Sequence, residues 1–597
     1  VKYYGSDKES EVGAMEYFYY NDDTNPLRVS ERLKIPNIYN DHSDSLQISI
    51  EYEYDKIGNI VQQSMSSPSM KNKKVLKRIY GDKYGYRFAT STIDEMGNEI
   101  ICDYDEDYGI MISTKDYNDY VVKISSDPLG VNNFMTMSDD VNHVNVTRWA
   151  TNHDYSPDNA TYYYWEKNTG QAEKLSFFHK SGAELRTLTF DLKGKPLMID
   201  KYYDDFGNII KQTLPYYHGD DVSFVSYEYD NYNRLISTHY HNGKIVENHY
   251  DGNKTTIVEI SNEGDKKIVE NTVNVMGWPT NTIDAGGNLI YYEYYSDGLL
   301  KSSQIGDDVN TKILISYDNN RNKNSMYDPN NGLVKYENDA VGNIVKVITS
   351  KNNVSEYQYD VLGRIINRKD VDLENNKTIV TNWIYSEQKG EKGILKRVYS
   401  SDNHEVEYHY DDKLKMVTSI EKIDGEEYET SYTYDKANRI STITYPTGFS
   451  LLKTYSNTGY EQAYYDNNCN QLLWMTNETD AMGNIREYLV GNGLITSRVF
   501  NPKTLMLESI VTSKDKRIYQ DLGYEYDDFG NLLSRSKKTG TYKKETFEYD
   551  DFDRVVKISL DDVVMCEMLY DDLGNVLEKK INDTRVIYNA TYDNIIL

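Results

Sequence analysis

Apolar and polar positions alternate along this chain in short bursts, and each burst breaks at a polar tetrad containing glycine or asparagine. No amphipathic helix, heptad run or proline-rich linker interrupts the pattern, so the period is that of β-strands. In Tyr524-Glu525-Tyr526-Asp527-Asp528-Phe529-Gly530-Asn531-Leu532-Leu533 the two tyrosines stand two apart and fall on one face of an incoming strand. The aspartate can accept hydrogen bonds from turn amides, the glycine supplies positive φ in a type I turn closed by a bulge, and an apolar strand leaves. This pattern predicts a β-hairpin.

The hairpin recurs. Strict copies of Asp-x-x-Gly-(Asn/Arg)-apolar begin at Asp55, Asp204, Asp284, Asp339, Asp360, Asp480, Asp527 and Asp571, with a near relative at Asp94. Where glycine is replaced, the substitute is Asn233, Asn438 or Asp553, and Asn and Asp tolerate positive φ best after glycine. The exchanges therefore predict a conserved turn geometry within the chain. Aspartates 339 and 360, 527 and 550, and 550 and 571 are 21, 23 and 21 residues apart. That period leaves room for two short strands and two turns, a unit that must stack on its neighbours to bury a face. The expectation is all-β, one contiguous array.

Along the array we expect an N-terminal β segment over residues 1–50, the first repeats over 51–108, divergent repeats or a β insertion over 109–188, and a dense repeat region over 189–597. The 109–188 stretch lacks a clean copy of the tetrad, yet Tyr162 to Trp165 and Lys174 to His179 flank a turn-like Asn168-Thr169-Gly170.

Composition narrows the picture. Of 597 residues only 38% are apolar and 58 are tyrosine. Aliphatic material is scarce for one thick core, whereas tyrosine covers a sheet face while its hydroxyl stays hydrogen-bonded or wet. A formal net charge of −29 argues against nucleic acid or an anionic membrane surface as partner and favours solubility or a cationic guest. No apolar stretch reaches the 18 residues of a membrane-spanning helix, so membrane insertion is not expected. The chain opens at Val1 without a signal-peptide pattern, as a processed or excised product would. Cys102, Cys469 and Cys566 are distant and odd in number, and read as buried or half-buried free thiols on strands.

Candidate chemistry has structural competitors throughout. Asp103-Tyr104-Asp105-Glu106-Asp107-Tyr108-Gly109 resembles the start of a calcium loop, but position 12 falls on Thr114 in place of the closing glutamate, and a degenerate Tyr-Asp turn accounts for it. His239, His241, His249 and Asp251 lie close together, with His239 and His241 expected on one strand face; His249-Tyr250-Asp251-Gly252-Asn253 reads equally as another repeat turn. The regularly placed aspartates are explained by turn-making, and no nucleophile elbow, zincin helix or phosphate loop occurs. The expectation is a nonenzymatic chain with no catalytic, cofactor or metal residue.

The repeats themselves carry a resemblance. Tyr432-Thr433-Tyr434-Asp435-Lys436-Ala437-Asn438-Arg439-Ile440, ending in Tyr445-Pro446-Thr447-Gly448, resembles the YD-repeat, or Rhs, family of bacterial secreted toxins, the related shell subunits of insecticidal toxin complexes, and teneurin-like repeats. The resemblance covers roughly residues 50 to 580. It implies a spiral array of antiparallel hairpins wound into a large hollow β-shell, secreted or at the bacterial cell surface, that encapsulates a toxic or unfolded polypeptide; the partner would be a C-terminal toxin or cargo polypeptide outside this sequence. The alternative is an adhesion module holding a cell-surface glycan or protein. Asp127-Pro128-Leu129-Gly130 is similar to the Asp-Pro-x-Gly signature at which such proteins release their toxin. It lies early and lacks the preceding Gly-Arg-Phe stretch, so self-cleavage is not transferred to it.

Overall fold

The computed structural model describes residues 2–3, 14–20, 27–35, 47–68, 70, 73–127, 133–137, 141–149, 153–318, 320–581 and 584–588. Among them the chain forms 51 β-strands in one sheet. Successive strands pair antiparallel, as Arg517–Tyr526 does with Leu532–Lys537 and Lys543–Tyr549 with Val555–Leu560. One fork breaks the simple order. The strand Pro196–Tyr203 pairs through its first half with Glu184–Phe190 and Tyr216–Tyr217, and through its second half with Ile209–Thr213.

The tetrads make the turns that the pattern predicts. Beside most of them the ladder slips by a residue, as where Tyr526 faces Leu532 while Glu525 faces Ser534, the bulge that closes a type I turn; at Asp94 and Asp284 the pairing keeps its register. The backbone constraint is visible in the substituted copies, where Asn233, Asn438 and Asp553 adopt φ of 60, 62 and 61°. The histidine-rich copy differs. The strand runs on to Asp251, which pairs with Lys254, so Gly252-Asn253 is a two-residue hairpin and Asp251 is not a turn aspartate of the usual kind.

The sheet has two unlike faces. In Ile48–Tyr54 and Phe224–Tyr229 the glutamate between the tyrosines is exposed and the tyrosines are half-buried. Strands of the 109–188 segment belong to the same array, from Met111–Lys115 to Glu184–Phe190.

Strand direction alternates, so every second turn lies on the same rim of the sheet. Hydrogen bonds between distant parts of the chain join only opposite rims. The Asp116 turn meets the Gly393 turn, where Asn118 donates to the Lys392 carbonyl at 3.0 Å; Arg439 reaches the Gly170 carbonyl at 2.8 Å; Thr458 donates to the Asp191 carbonyl at 2.8 Å. Glu263 N–H donates to Asp528, and Asn575 to Asn330. These partners lie between 245 and 274 residues apart. The chain thus winds through two successive coils, with the lower rim of the first seated on the upper rim of the second. The coils touch by their turns, while the strands pair only along the coil.

The result is thin-walled. The molecule exposes 35094 Å², whereas a compact globular protein of 69.4 kDa would expose about 21500 Å². Only eleven described hydrophobic residues are buried, and five of them, Tyr163, Leu175, Phe177, Leu188 and Met198, form one cluster. The wound sheet is a large β-shell.

Candidate functional site

The unit that builds the shell wall is the repeat turn. Asp527 Oδ1 accepts from the Phe529 and Asn531 amides at 3.0 and 2.7 Å, and Oδ2 from the Asn531 side-chain amide at 3.0 Å. Asp55, Asp204, Asp339 and Asp480 hold the same set. Hydrogen bonds to the ionised form favour it: the Asn208 side chain holds the Asp204 carboxyl below its ordinary value despite some loss of solvation.

Where arginine replaces the asparagine, the turn gains a second function. Arg439 pairs with Asp435 Oδ2 through Nε and Nη2 at 2.9 and 2.7 Å. Its guanidinium lies 3.9 Å from the Tyr455 ring centroid, and its remaining nitrogen makes the contact to Gly170 on the other coil. A planar fork with five donors can do all three at once; lysine cannot. Arg364 repeats the arrangement over Tyr385 at 4.1 Å and donates to the Gly393 carbonyl.

Tyrosines that end the strand before a repeat turn link one repeat to the last. Tyr549 donates to the Leu532 carbonyl at 2.8 Å, Tyr570 to Val555 at 2.9 Å, Tyr455 to Ile440 at 2.8 Å and Tyr359 to Ile344 at 2.7 Å. Each acceptor is the first residue after the preceding turn. Burial pushes the Tyr359 and Tyr434 phenols, which donate to the Ile344 and Met416 carbonyls, above their ordinary value, so they remain neutral donors at physiological pH.

One patch is built differently. Arg186 forks onto Asp200 at 2.6 and 2.7 Å and also donates to the Tyr155 carbonyl, while Tyr216 donates to Asp200 at 2.8 Å. Burial and this carboxylate push the Tyr216 phenol up to about 12. The network fastens the 153–160 and 214–223 connections over the Phe177 cluster, against which Tyr155, Ala160 and Tyr216 pack.

The sequence candidates resolve as follows. Asp103 accepts from Lys83 at 3.1 Å and from the Tyr84 hydroxyl, while Asp105 holds the Asp107 and Tyr108 amides at 3.0 and 2.8 Å. The Asp103–Gly109 stretch is a degenerate turn, one residue longer than usual. His239 ends its strand and bonds Ser237 at 3.0 Å, His249 bonds Glu247 at 3.1 Å, and His241 lies in the Tyr240–Lys244 turn. The strand face expected to carry both His239 and His241 does not exist. Among the described residues no group of three or more His, Cys, Asp or Glu side chains could hold a metal. Cys102 is half-buried and Cys566 buried, but Cys469 is exposed in the turn after Glu461–Asp466, which corrects its placement on a strand. Pro128 to Gly130 lie outside the described residues.

The seam between coils is what the sequence did not disclose. Lys267, whose ammonium sits 2.5 Å from Asp553 and 4.3 Å from the Phe529 ring centroid, lies near the start of the strand Lys266–Val273, and Thr458 and Asn118 occupy ordinary turn positions. Arginine in place of the turn asparagine was the one available hint.

No protein-family model matches the chain, and no curated protein sequence matches it. Solved structures do. The crystal structure of TcdB2-TccC3-TEV superposes with a TM-score of 0.76 over 97% of this chain and 40% of that chain, at 14% identity. That of TcdB2-TccC3 without its hypervariable C-terminal region gives 0.77 over 98% and 41%, also at 14% identity. A structure of the Photorhabdus luminescens Tc holotoxin pore gives 0.77 over 96% and 39%, again at 14% identity. These likenesses establish a shared β-shell fold, and this chain spans about 40% of the length of the chains it matches.

Proposed function

We propose that this chain is the noncatalytic structural shell, or a large part of it, of a secreted bacterial toxin-type protein, and that it encloses a toxic or unfolded polypeptide. The observation that carries the reading is the thin wall: 35094 Å² of surface on a sheet whose two coils stack rim on rim. A sheet closed in this way also leaves few free strand edges to aggregate. The likeness to Tc toxin structures supports it. The most regularly spaced carboxylates are committed to turn amides, which supports a chain without hydrolytic chemistry. The test is protection from proteolysis of a polypeptide fused after residue 597. Digestion as fast as that of the free polypeptide overturns encapsulation.

A second reading, adhesion, keeps one observation. Phe206 and Tyr232 are 82% and 81% exposed on neighbouring turns joined by an Asn208–Asn233 hydrogen bond of 3.2 Å, and exposed aromatic patches mark recognition surfaces. Binding to a glycan array that is lost in a Phe206→Ser/Tyr232→Ser variant would favour it; an array without signal removes it.

A further inference from the structure

A cavity of about 280 Å³ opens at the seam, with Asp191 and Leu192 of the first coil on one side and Glu461, Tyr464, Trp474 and Asp480 of the second on the other. The two coils are fastened beside it by Thr458 to the Asp191 carbonyl at 2.8 Å and by Tyr217 to the Thr479 carbonyl at 3.3 Å. Tyr464 and Trp474 form its aromatic wall, stacked with centroids 5.3 Å apart and planes at 25°, and Tyr488 lies tilted against Trp474 at 6.0 Å. Three carboxylates line the cavity and no lysine or arginine does. One is already neutralised: Lys453 pairs with Glu461 at 2.5 Å and the Tyr464 hydroxyl donates to the same carboxylate at 2.5 Å. Burial opposes the Glu461 charge, yet Lys453 and Tyr464 hold its carboxyl below the usual range. Asp191 holds two turn amides through Oδ1, Asp480 holds two through Oδ1 and the Asn484 side-chain amide through Oδ2 at 3.1 Å, and neither has a cationic side chain as partner among the described residues.

We propose that this seam cavity is a binding site for an organic cation, a guanidinium or ammonium group on a short apolar stem, stacked on Trp474 and facing Asp191 and Asp480. Tryptophan is the strongest cation–π acceptor among side chains, and the interaction gains when the site is partly desolvated. A cavity of this size takes a side-chain-sized ligand and excludes a folded partner. Because its walls come from both coils, the bound cation bridges them, and occupancy stabilises the seam by mass action.

The full chain is titrated calorimetrically with n-butylguanidinium chloride, and with n-butylurea as the uncharged isostere at matched ionic strength. Saturable binding of the cation, with the urea about tenfold weaker or undetectable, is expected. The response should disappear in Trp474→Leu. It should weaken about tenfold in Asp191→Asn/Asp480→Asn, which removes charge alone. That double variant keeps the amide bonds of both turns, as Asn274 does for the Met276 and Trp278 amides at 2.9 and 3.0 Å, and gives up the Asn484 side-chain bond to Asp480 Oδ2. A melting temperature that rises with the cation in the wild type and not in the double variant reads the bridging. Equal binding of the urea, of a neutral sugar, or by Trp474→Leu overturns the proposal. An unstructured arginine peptide set against its citrulline counterpart separates the sources. Affinity per guanidinium equal to that of the small cation indicates a free amine, and a gain of about tenfold or more indicates a polypeptide side chain.

Discussion

The strands around Phe177 and the strands of the second coil are held together by different physics. At Phe177, which is 0% exposed, and Leu188, also 0%, a loop folds over the sheet and a hydrophobic cluster forms as in an ordinary domain. From Val354 to Ile587 only two described hydrophobic residues, Ala463 and Cys566, are buried. Turn carboxylates, tyrosine hydroxyls and backbone ladders carry the load there. The difference teaches that a wall one sheet thick replaces burial by many small polar contacts, each local and each repeated. The two regions should therefore fail under different insults.

Acid should separate them most. In the second coil burial opposes the charge of the turn aspartates, yet the Arg439 side chain and amide hold the Asp435 carboxyl below its ordinary value, and the Arg554 amide and side chain do the same for Asp550. Their folded values lie below the unfolded value of about 3.9, so the stability they contribute is complete above that pH and drains away as pH falls through the folded values. Hydrogen exchange should show the second coil flat down to about pH 5 and opening below about pH 4, before the Phe177 strands. Simultaneous loss in both regions would erase the contrast.

Phe177→Ala should cost about 3–5 kcal/mol locally, read as lost exchange protection in Lys174–Phe178 and Glu184–Phe190 with the second coil unchanged. Asp527→Ala should cost about 1–2 kcal/mol in the hairpin that it closes, while Asp527→Asn should cost less, because asparagine keeps the two amide bonds, as Asn501 does for the Lys503 and Thr504 amides at 2.8 and 3.0 Å, and gives up the Asn531 side-chain bond at Oδ2. Tyr549→Phe should cost about 1 kcal/mol by removing the bond to Leu532. Lys267→Met should be the mildest, under about 1 kcal/mol and vanishing in high salt, since Asp553 is 43% exposed.

Legibility follows the same divide. The hairpin turn could be read from sequence because its determinants are local: positive φ at Asn233 and Asn438 leaves a mark on residue choice. The strands flanking Asn168-Thr169-Gly170 were readable for the same reason. The return of the chain onto itself was not, because its contacts use backbone carbonyls such as those of Gly170 and Asp191, which any residue supplies. His241 was placed on a strand because alternation of side chains cannot say where a strand stops. Cys469 was misplaced likewise, since the turn after Asp466 carries asparagines and no glycine.

The rim rule makes the number of strands in a coil a matter of parity. Duplicating a whole hairpin advances every later turn by one repeat and still offers an upper rim to a lower one, so the circumference can change without altering the chemistry of contact. Adding a single strand would invert all that follows, presenting Arg439 and Thr458 to solvent and the polar Asn467-Asn468-Cys469-Asn470 loop to the seam. A lineage of such shells can therefore change girth in steps of two strands, and the register of one coil on the next records how many such steps have been taken.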